Sequence, residues 1–298
     1  MQIGLRSLVQ PELAAHVAES RAFYAARGER RGPASLEELQ VLRAKQVLAP
    51  LPGTVIIEQD VFSLRIVVPR NKKVRGVYLD IPGGGFYLSS AAGGDARNLE
   101  LAESLGIAVV SVDYRLAPEN PWPAAPDDCE AAARWLIDEA ETRFGTTKLA
   151  IGGSSAGATL AMTTLLRLRG SGDADSFAGA VLQFGTYDLS GLTAAGRLIA
   201  DEYFLQAYVG HVADRTLPDI SPIFADLRDL PPTLLIVGAS DILLEDNLAM
   251  AARLSAAGAD VDLRIYPASP HAFTAHPTPM AKAALNDRNS WLTNRFAP

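Results

Sequence analysis

The stretch "KLAIGGSSAGATLAM", residues 148–162, contains the local pattern that decides the fold. An apolar run that predicts a buried strand leads into "GSSAG", residues 153–157, and a helix-forming run follows directly. A G-x-S-x-G sequence between a strand and a helix is typical of a sharp turn that exposes a serine hydroxyl, because the glycines leave room for the crowded backbone. The pattern predicts a strand-turn-helix unit with Ser155 at its tip, which makes Ser155 the first candidate nucleophile.

The rest of the chain repeats this alternation of strand and helix. Apolar runs rich in Val and Ile alternate with amphipathic helical runs, which is typical of a mostly parallel sheet covered by helices on both faces. The 298 residues, 48% of them hydrophobic, suffice for one large α/β domain or two small ones. Eight strands are predicted, of which the first two are close enough to pair antiparallel: "TVIIEQD", "SLRIVVP", "VRGVYLDI", "GIAVVSV", "KLAIGG", "AGAVLQFG", "TLLIVGAS" and "DVDLRIYP".

Two parts of the chain depart from the alternation. Near the N-terminus, the amphipathic residues 11–27 and 35–48 predict two helices, the second opening with Ser35 and Glu38 in capping-box spacing. Residues 190–222 have no strand pattern and contain the aromatic patch "DEYFLQAYVG". We interpret this second segment as an insertion.

A serine hydroxyl needs a general base, and that base needs an orienting carboxylate. In parallel sheets the chemistry lies beyond the carboxyl ends of the strands. Asp241 follows the strand "TLLIVGAS" and His271 follows "DVDLRIYP". The chain order Ser155, Asp241, His271 is the order expected of a hydrolase with this kind of sheet, so we predict these three as nucleophile, acid and base.

Other acids and histidines compete for these roles. Glu245 and Asp246 lie close to Asp241, but they fit the first turn of a predicted helix, where the macrodipole favours acidic side chains. The remaining histidines are interpreted as surface or core residues: His16, His211 and His276. There is no H-x-x-x-H pair and no Cys/His cluster of ligand spacing, so no metal site is predicted.

Three consecutive glycines, residues 83–85, follow the strand "VRGVYLDI". Backbone N–H groups aimed at the negative charge of a tetrahedral intermediate contribute about 3 kcal/mol each, and glycines let the backbone come that close. We predict the N–H groups of Gly84, Gly85 and Ala156 as this oxyanion hole. A plain flexible turn is the alternative interpretation of the glycines alone.

Together these motifs resemble the hormone-sensitive-lipase-like group of α/β-hydrolases, the bacterial family IV esterases. The family motifs H-G-G-G-F, Y-R-L-A-P-E, G-D-S-A-G-G, D-P-L-x-D-E and H-G-F occur in the same order here. They correspond to "PGGGF" from Pro82, "YRLAPE" from Tyr114, "GSSAGA" from Gly153, "DILLED" from Asp241 and "HAF" from His271. The resemblance covers at least residues 74–273.

The resemblance implies an α/β-hydrolase fold and a serine carboxylesterase that hydrolyses short- to medium-chain esters without a cofactor. It further implies a helical cap, made of residues 1–50 and 190–222, over a core formed by residues 51–189 and 223–298. Four aromatic residues are candidates to line the substrate pocket: Phe86, Tyr203, Phe204 and Tyr208. The last three have a near-helical spacing that is more often typical of core packing. Within "YRLAPE", Arg115 and Glu119 are interpreted as loop-bracing residues.

Three residues differ from the family motifs. Pro82 replaces a histidine, which fixes φ and removes a backbone N–H, so we expect a changed loop shape rather than a lost oxyanion hole. Ser154 replaces an aspartate and removes a carboxylate, whereas Ala158 replaces a glycine and stays small. Pro82 and Ser154 together indicate an unusual subgroup, for which a lactone or a bulky ester is a candidate substrate.

Composition excludes several classes of partner. The net charge of -7, without a basic stripe, argues against a nucleic-acid partner. The single cysteine, Cys129, cannot form an intramolecular disulfide and is predicted to be a buried core residue in a reducing compartment. Arg6, Pro11 and Glu12 interrupt the N-terminus where a signal peptide would be apolar, and no window has membrane-spanning length. We therefore expect a cytoplasmic protein without a membrane partner. The family resemblance implies a monomer or a homodimer that pairs through the last strand, "DVDLRIYP".

Two rival functions stay open on these residues. The same triad could cleave lactones or amides, because the acyl chemistry is shared. A ligand-binding protein of the same fold with a vestigial triad is the other rival, and the complete set of Ser155, Asp241 and His271 argues against it.

Overall fold

The computed structural model describes residues 9–28, 32–46, 51–70, 72–88 and 90–297. Its frame is one sheet whose strands are β1 Val55–Glu58, β2 Ser63–Val67, β3 Val77–Ile81, β4 Ala108–Asp113, β5 Leu149–Ser154, β6 Phe177–Gln183, β7 Thr233–Gly238 and β8 Val261–Tyr266. The strands lie in the order β1-β2-β4-β3-β5-β6-β7-β8. The β1/β2 and β2/β4 pairs are antiparallel and all other pairs are parallel, so the predicted eight-stranded, mostly parallel sheet is confirmed.

Helices cover both faces of this sheet. They are α1 Val17–Arg27, α2 Leu36–Ala44, α3 Asp95–Leu105, α4 Ala124–Phe144, α5 Ala156–Ser171, α6 Ala194–Ile199, α7 Tyr203–Val209, α8 Leu244–Ala256 and α9 Pro279–Arg295. One face carries α4, α5 and α8, whose apolar side chains share one buried cluster. The other face carries α3 and α9, and α1 packs against α9.

Successive side chains of the central strands point to opposite faces of the sheet and so contribute to both buried clusters. In β3, Val77 and Leu79 join the cluster under α4 and α5, whereas Tyr78 between them joins the cluster under α3 and α9. All five residues of β3 are buried because helices lie on both sides, which is why the strand reads as an almost continuous apolar run. The single cysteine, Cys129, is fully buried on α4, as predicted.

The N-terminal segment differs in detail from the sequence pattern. Residues 11–27 divide into a 3-10 turn, Pro11–His16, and helix α1. Helix α2 begins at the predicted capping residues. The Glu38 backbone N–H donates to Ser35 Oγ at 3.3 Å, but the Glu38 side chain accepts from the N–H of Ala34, at 2.8 Å, rather than from that of the N-cap Ser35. This helix ends at Ala44, and part of its predicted extension, residues 47 and 48, lies outside the described residues.

The segment 190–222 contains no strand, as the sequence predicts, and its two short helices are α6 and α7. Across the described residues, no helix combines the length and the apolarity needed to cross a lipid bilayer. Because β3, β5, β6, β7 and β8 are mutually parallel, their carboxyl ends meet at one edge of the sheet. The candidate site is built at that edge.

Candidate active site

Ser155 stands on the turn between β5 and α5 in a strained backbone conformation. Its φ of 53° and ψ of -122° lie outside the regions that non-glycine residues ordinarily adopt. The turn is held by a hydrogen bond from the Ser155 N–H to the Gln183 carbonyl at 2.9 Å. A Cβ at Gly153 would lie 2.4 Å from the Ile81 carbonyl oxygen, and one at Gly157 would lie 2.0 Å from the same atom. The two glycines of the motif therefore give β3 and its following loop room to pass over the turn.

Three side chains from three strand ends meet in a hydrogen-bonded row. Ser155 Oγ lies 2.9 Å from His271 Nε2, and His271 Nδ1 lies 3.1 and 3.0 Å from the two carboxylate oxygens of Asp241. The Asp241 side chain is fully buried, whereas about a third of the His271 side chain is exposed. The structure thus brings together the three residues that the chain order predicts as nucleophile, base and acid.

Further groups hold the acid and the base in place. Asp241 Oδ1 accepts a hydrogen bond from the Leu243 N–H at 2.8 Å. The Phe184 ring packs edge-on against the His271 imidazole, with ring centroids 5.2 Å apart and planes at 73°. Sequence reasoning missed Phe184; the signal was its position at the end of a predicted strand, "AGAVLQFG".

The competing acid Asp246 lies elsewhere, in the first turn of α8. One of its carboxylate oxygens accepts from the N–H groups of Tyr187 and Asp188, and the other accepts from the Thr193 hydroxyl at 3.1 Å. Burial raises the pKa of Asp246 above its ordinary value. Asp246 therefore ties the start of the 190–222 segment to the core and has no contact with His271.

The other three histidines have different surroundings. His276 lies 3.2 Å from the Tyr24 hydroxyl, and His211 Nε2 lies 3.1 Å from the Trp122 carbonyl oxygen. His16 closes the 3-10 turn before α1. In the described part of the chain, no three His, Cys, Asp or Glu side chains come together in a way that could hold a metal ion.

The glycine loop after β3 lies directly against the serine turn. A Cβ at Gly83 would come within 2.5 Å of the Ser154 carbonyl oxygen, and both Gly84 and Gly85 have positive φ angles, of 119° and 60°. The Leu88 N–H donates to the Gly84 carbonyl at 2.8 Å and closes the turn. No described residue accepts a hydrogen bond from the N–H groups of Gly84, Gly85 or Ala156. These groups are therefore available to a bound ligand.

Residues of the "YRLAPE" segment brace that loop. The Tyr114 hydroxyl donates to the Pro82 carbonyl at 2.9 Å, and the Ala117 N–H donates to the Phe86 carbonyl at 3.0 Å. Arg115 forms an ion pair with Asp128 at 2.7 Å. The loop that begins with Pro82 therefore keeps its position through its carbonyl groups, although proline itself has no N–H to offer.

Arg43 on α2 completes the bracing from the N-terminal segment. Its Nε donates to the Tyr87 carbonyl at 2.9 Å, its Nη1 pairs with both oxygens of Glu119 at 2.9 Å, and its Nη2 donates to the Ala117 carbonyl. The two residues that the sequence marks as bracing fix the "YRLAPE" segment itself: Arg115 pairs with Asp128 of α4, and Glu119 pairs with Arg43 of α2. Arg43 had no signal in the sequence, because its partners lie far along the chain.

A cavity of about 720 Å³ opens above Ser155 and His271. From the 190–222 segment it is lined by Ile199, Glu202 and Phe204, and from the N-terminal segment by Gly32 and Gln46. The remaining wall includes the glycine loop, Tyr87, Leu88, Phe184, Ile242 and Leu243.

The four aromatic residues predicted to line the pocket separate into two groups. Phe204 lines the cavity. Phe86 and Tyr208 do not: both are almost completely buried, and their rings stack with centroids 4.0 Å apart and planes at 1°. Tyr203 packs edge-on against Tyr87, 6.2 Å away, and likewise lies off the cavity wall. Of the four predicted residues, the structure thus places Phe204 on the cavity wall. Tyr203 and Tyr208 of α7 and Phe86 of the glycine loop lie off the wall, because their rings pack against neighbouring rings.

Tyr87 was missed by sequence reasoning and takes their place on the wall. Its ring lies 6.2 Å from that of Phe204, with planes at 20°. Burial, together with Glu202 and Tyr203, raises the pKa of Tyr87 to about 12, so its phenol stays neutral near pH 7. Tyr87 therefore contributes shape and a hydroxyl group to the wall.

Comparison with known proteins now identifies the family. A family model described as the alpha/beta hydrolase fold matches residues 78–275, about two thirds of the chain. A crystal structure of a hormone-sensitive lipase from a metagenome library, 28% identical, superposes over the whole of both chains with a TM-score of 0.75. The chain belongs to the hormone-sensitive-lipase-like group of α/β-hydrolases. The matched range of this α/β-hydrolase includes the glycine loop, Ser155, Asp241 and His271.

Two curated relatives of this α/β-hydrolase are named as ester hydrolases. A carboxylic ester hydrolase, LipN, of Mycobacterium tuberculosis is 32% identical over 207 residues, which are 64% of this chain and 55% of the relative. An ethyl acetate hydrolase of Pseudomonas putida is 31% identical over 209 residues, 65% of either protein. The matched part of the chain thus spans less than two thirds of the length of these two relatives.

Proposed function

We propose that this α/β-hydrolase is a serine carboxylic ester hydrolase. The observation that carries the proposal is the row of hydrogen bonds from Ser155 Oγ through the His271 imidazole to the buried Asp241 carboxylate. Such a row converts a serine hydroxyl, which is a weak nucleophile near pH 7, into a reactive one. The two curated relatives named as ester hydrolases support the same reaction class.

Each side chain has a defined step in the proposed mechanism. Ser155 Oγ attacks the ester carbonyl carbon while His271 Nε2 takes the hydroxyl proton, and Asp241 holds the imidazole in the tautomer with its proton on Nδ1. The imidazolium then gives its proton to the leaving alcohol. Water, activated by His271, attacks the acyl-enzyme in the second half and releases the carboxylic acid.

The negative charge of the tetrahedral intermediate develops beside the glycine loop. The N–H groups of Gly84, Gly85 and Ala156 are the proposed donors, since no described residue takes up these hydrogens and Ala156 is the first residue of α5. The positive end of the α5 dipole adds to their effect. Bracing by Tyr114, Ala117 and Arg43 holds the loop ready before substrate binds.

Short- to medium-chain esters are the proposed substrates, and the cavity is compatible with them. Its volume of about 720 Å³ is within the range of small-ligand sites, and Phe204 and Tyr87 form an aromatic wall in it. We propose residues 190–222 as the cap, with Ile199, Glu202 and Phe204 as its contribution to the pocket. Gly32 and Gln46 are the proposed N-terminal contribution, whereas α1 packs on α9.

A fluorophosphonate tests the central assignment. Intact-protein mass after incubation, followed by peptide mapping, is expected to show one stoichiometric adduct, on Ser155, in the wild-type protein and no adduct in Ser155→Ala. Ser155→Ala is also expected to lose hydrolysis of p-nitrophenyl butyrate by several orders of magnitude. A folded wild-type protein that takes no adduct contradicts the proposal and favours a non-catalytic binding protein.

Amide and lactone hydrolysis would use the same residues. An ester and an anilide of the same acyl group distinguish ester hydrolysis from amide hydrolysis. We expect the ester to be cleaved with the higher kcat/KM, since an anilide needs stronger protonation of its leaving group.

A further inference from the structure

The wall of the cavity above Ser155 also carries two arginine side chains. Arg97 of α3 and Arg288 of α9 line the same cavity as Ser155 and His271. Neither guanidinium has a role in the proposed mechanism. Because the helices that carry them lie on the same face of the sheet, their charges come together only in the folded protein.

Arg288 is buried without a carboxylate partner. Only 6% of its surface is exposed, and its Nε and Nη2 both donate to one neutral oxygen, Oδ1 of the adjacent Asn289, at 3.0 and 2.8 Å. A buried arginine is normally paired with an acid, since an uncompensated charge is costly to bury. No described carboxylate forms an ion pair with Arg288, and its Nη1 hydrogens have no protein acceptor in the described residues. Burial lowers the pKa of Arg288 from the ordinary value and Arg97 adds to this effect, whereas Tyr78, Asp80 and Glu100 act in the opposite direction. A guanidinium keeps its charge near pH 7.

Arg97 is exposed and also lacks an ion pair within the described part of the chain. Its Nη2 lies 3.3 Å from the point that a Cβ on Gly94 would occupy, and Asp80 Oδ2 lies 3.8 Å from that point. Gly94 lines the cavity too, and the absence of a side chain there keeps this corner open.

The described acidic groups nearby form no ion pair with either arginine. Asp80 lies in this corner of the cavity, and its Oδ2 already accepts from Asn98 at 2.9 Å and from Ser111 at 3.1 Å. Ser154, the residue before the nucleophile, offers the cavity a hydroxyl instead of a carboxylate.

A second cavity of about 780 Å³ borders both arginines from the other side. Glu19 and Glu100 lie on its wall and do not line the cavity of Ser155. Of the two described carboxylates that line the cavity of Ser155, Asp80 is engaged by Asn98 and Ser111, and Glu202 comes from the 190–222 segment and acts on Tyr87. The positive charge of the two guanidiniums is therefore concentrated on the part of the wall formed by α3 and α9.

We infer that Arg97 and Arg288 form an anion subsite of the active-site cavity, and that the preferred substrates are esters carrying a second, free carboxylate. The inference rests on the proposed function and specifies its substrate class. Arginine recognises carboxylates through paired N–H donors, and hydrogen bonds to charged groups are among the stronger ones in proteins. The carboxylate would belong to either the acyl or the alcohol part of the ester, and a pair of test substrates for each part distinguishes the two positions.

Two matched pairs of esters test the subsite. Mono-4-nitrophenyl glutarate against 4-nitrophenyl pentanoate places the carboxylate on the acyl side, and 4-acetoxybenzoate against its methyl ester places it on the alcohol side. After subtraction of spontaneous hydrolysis, the ratio of kcat/KM for the anionic ester to that for the neutral ester is measured in each pair. We expect this ratio to fall at least about tenfold in Arg97→Met and in Arg288→Gln for one of the pairs.

Arg143→Met is the matched control, because Arg143 is an exposed arginine at the end of α4 that does not line the cavity. Arg143→Met lowers the net charge by the same amount as Arg97→Met, and its kcat/KM ratios of anionic to neutral ester are expected to equal those of the wild type. An effect of net charge alone would change the ratios in both variants. Arg97 is exposed, so Arg97→Met stays informative if Arg288→Gln does not fold. Ratios within twofold of the wild type for both pairs in folded Arg97→Met overturn the subsite, even where ester hydrolysis itself is normal.

A binding measurement separates this inference from the proposed function. Calorimetry with glutarate is performed on Ser155→Ala and on Ser155→Ala combined with Arg97→Met. Binding that is lost with Arg97 supports the subsite even if neither ester is hydrolysed, a result that would contradict the hydrolase assignment alone. No binding, or binding that Arg97→Met leaves unchanged, overturns it.

Discussion

Single residues at the serine turn show how closely the backbone is packed there. Gly153 and Gly157 each leave space for the Ile81 carbonyl, so both glycines of the G-x-S-x-G motif have a steric explanation. Ser155 between them is held at a positive φ, where a side chain is normally strained. Strain of this kind persists because the surrounding strand, helix and glycine loop fix the conformation.

Gly157→Ala is expected to be destabilising and to impair activity. The new Cβ would lie 2.0 Å from the Ile81 carbonyl and 2.7 Å from the Pro82 carbonyl, which pushes the glycine loop away from Ser155. Overpacking of this kind costs about 1–3 kcal/mol in the free energy of unfolding. Urea unfolding and kcat/KM for p-nitrophenyl butyrate measure the two effects.

Gly170→Ala provides the control within the same helix. No described atom lies within 4 Å of the point that a Cβ would occupy at this exposed position of α5, and the φ of Gly170 is not positive. Alanine there is expected to stabilise the protein by about 0.5–1 kcal/mol with unchanged activity. Equal effects of the two substitutions would contradict the steric account of the motif.

Replacing Asp241 and Asp246 one at a time distinguishes the catalytic acid from the acid that holds the 190–222 segment. Asp241→Asn is expected to lower kcat about 10⁴-fold, because the amide no longer selects the imidazole tautomer that accepts the serine proton. Asp246→Asn is expected to keep kcat within about threefold, since its amide can satisfy the N–H groups of Tyr187 and Asp188 and the Thr193 hydroxyl. The reverse pattern of kcat values would move the acid of the triad to Asp246.

The pH dependence of stability provides a second readout for Asp246. Its pKa is raised in the folded protein, so its contribution to stability is present below its ordinary pKa of about 4 and is lost as pH rises through the raised value. Asparagine avoids the cost of burying the charge. The free energy of unfolding of Asp246→Asn is therefore expected to equal or exceed that of the wild type at pH 7, and this advantage should shrink toward acid pH.

At the scale of elements, helix α2 acts on the site through one side chain. Arg43 joins the glycine loop, at the Tyr87 carbonyl, to the "YRLAPE" segment, at Ala117 and Glu119. It contacts neither Ser155 nor His271, so it is a positioning residue. Its value to catalysis lies in keeping the proposed oxyanion donors at a fixed distance from Ser155.

Arg43→Met is expected to lower kcat about tenfold while KM changes little, because the glycine loop loses the hydrogen bond at Tyr87 that joins it to the rest of the bracing but the cavity wall stays. The exposed Lys45→Met, two residues later, is the control and should match the wild type. Arg43→Lys should recover part of kcat. A purely structural role would instead appear as a lower free energy of unfolding with a normal kcat in the folded fraction.

At the scale of the whole molecule, the end of the chain closes the layer under the sheet. Phe296 is 2% exposed and lies over Gly76, where a Cβ would come within 2.3 Å of its ring. Trp291 occupies the corresponding place over Gly179. Helix α9, which carries Arg288, and the Phe296 that follows it therefore cover this face of the sheet.

Phe296→Ala is expected to cost about 3–5 kcal/mol in the free energy of unfolding, as the loss of a buried aromatic side chain usually does. Specific activity of the folded protein should be preserved, since Phe296 does not line the cavity. Leu198→Ala, at a site 67% exposed, is the control and should stay within about 0.5 kcal/mol of the wild type. Denaturant unfolding of the three proteins measures the difference, and a loss below about 1 kcal/mol for Phe296→Ala would contradict the sealing role.

The sequence by itself determined the strand order along the chain, the serine turn and the three residues that meet at the carboxyl edge of the sheet. These features are local or follow from one rule: parallel strands end at the same side of a sheet, so residues that follow strands come together. Ser155, Asp241 and His271 each have such a position.

Only the tertiary structure decided which side chains face the cavity. The short helix α7 turns Phe204 toward the cavity and stacks Tyr208 on Phe86, and no spacing in "DEYFLQAYVG" distinguishes these outcomes. Arg288 is one of many polar residues on α9, and it is buried because α3 and the sheet close over it. Packing between distant segments selects the face of a helix that is covered, and that selection is absent from any single stretch of sequence.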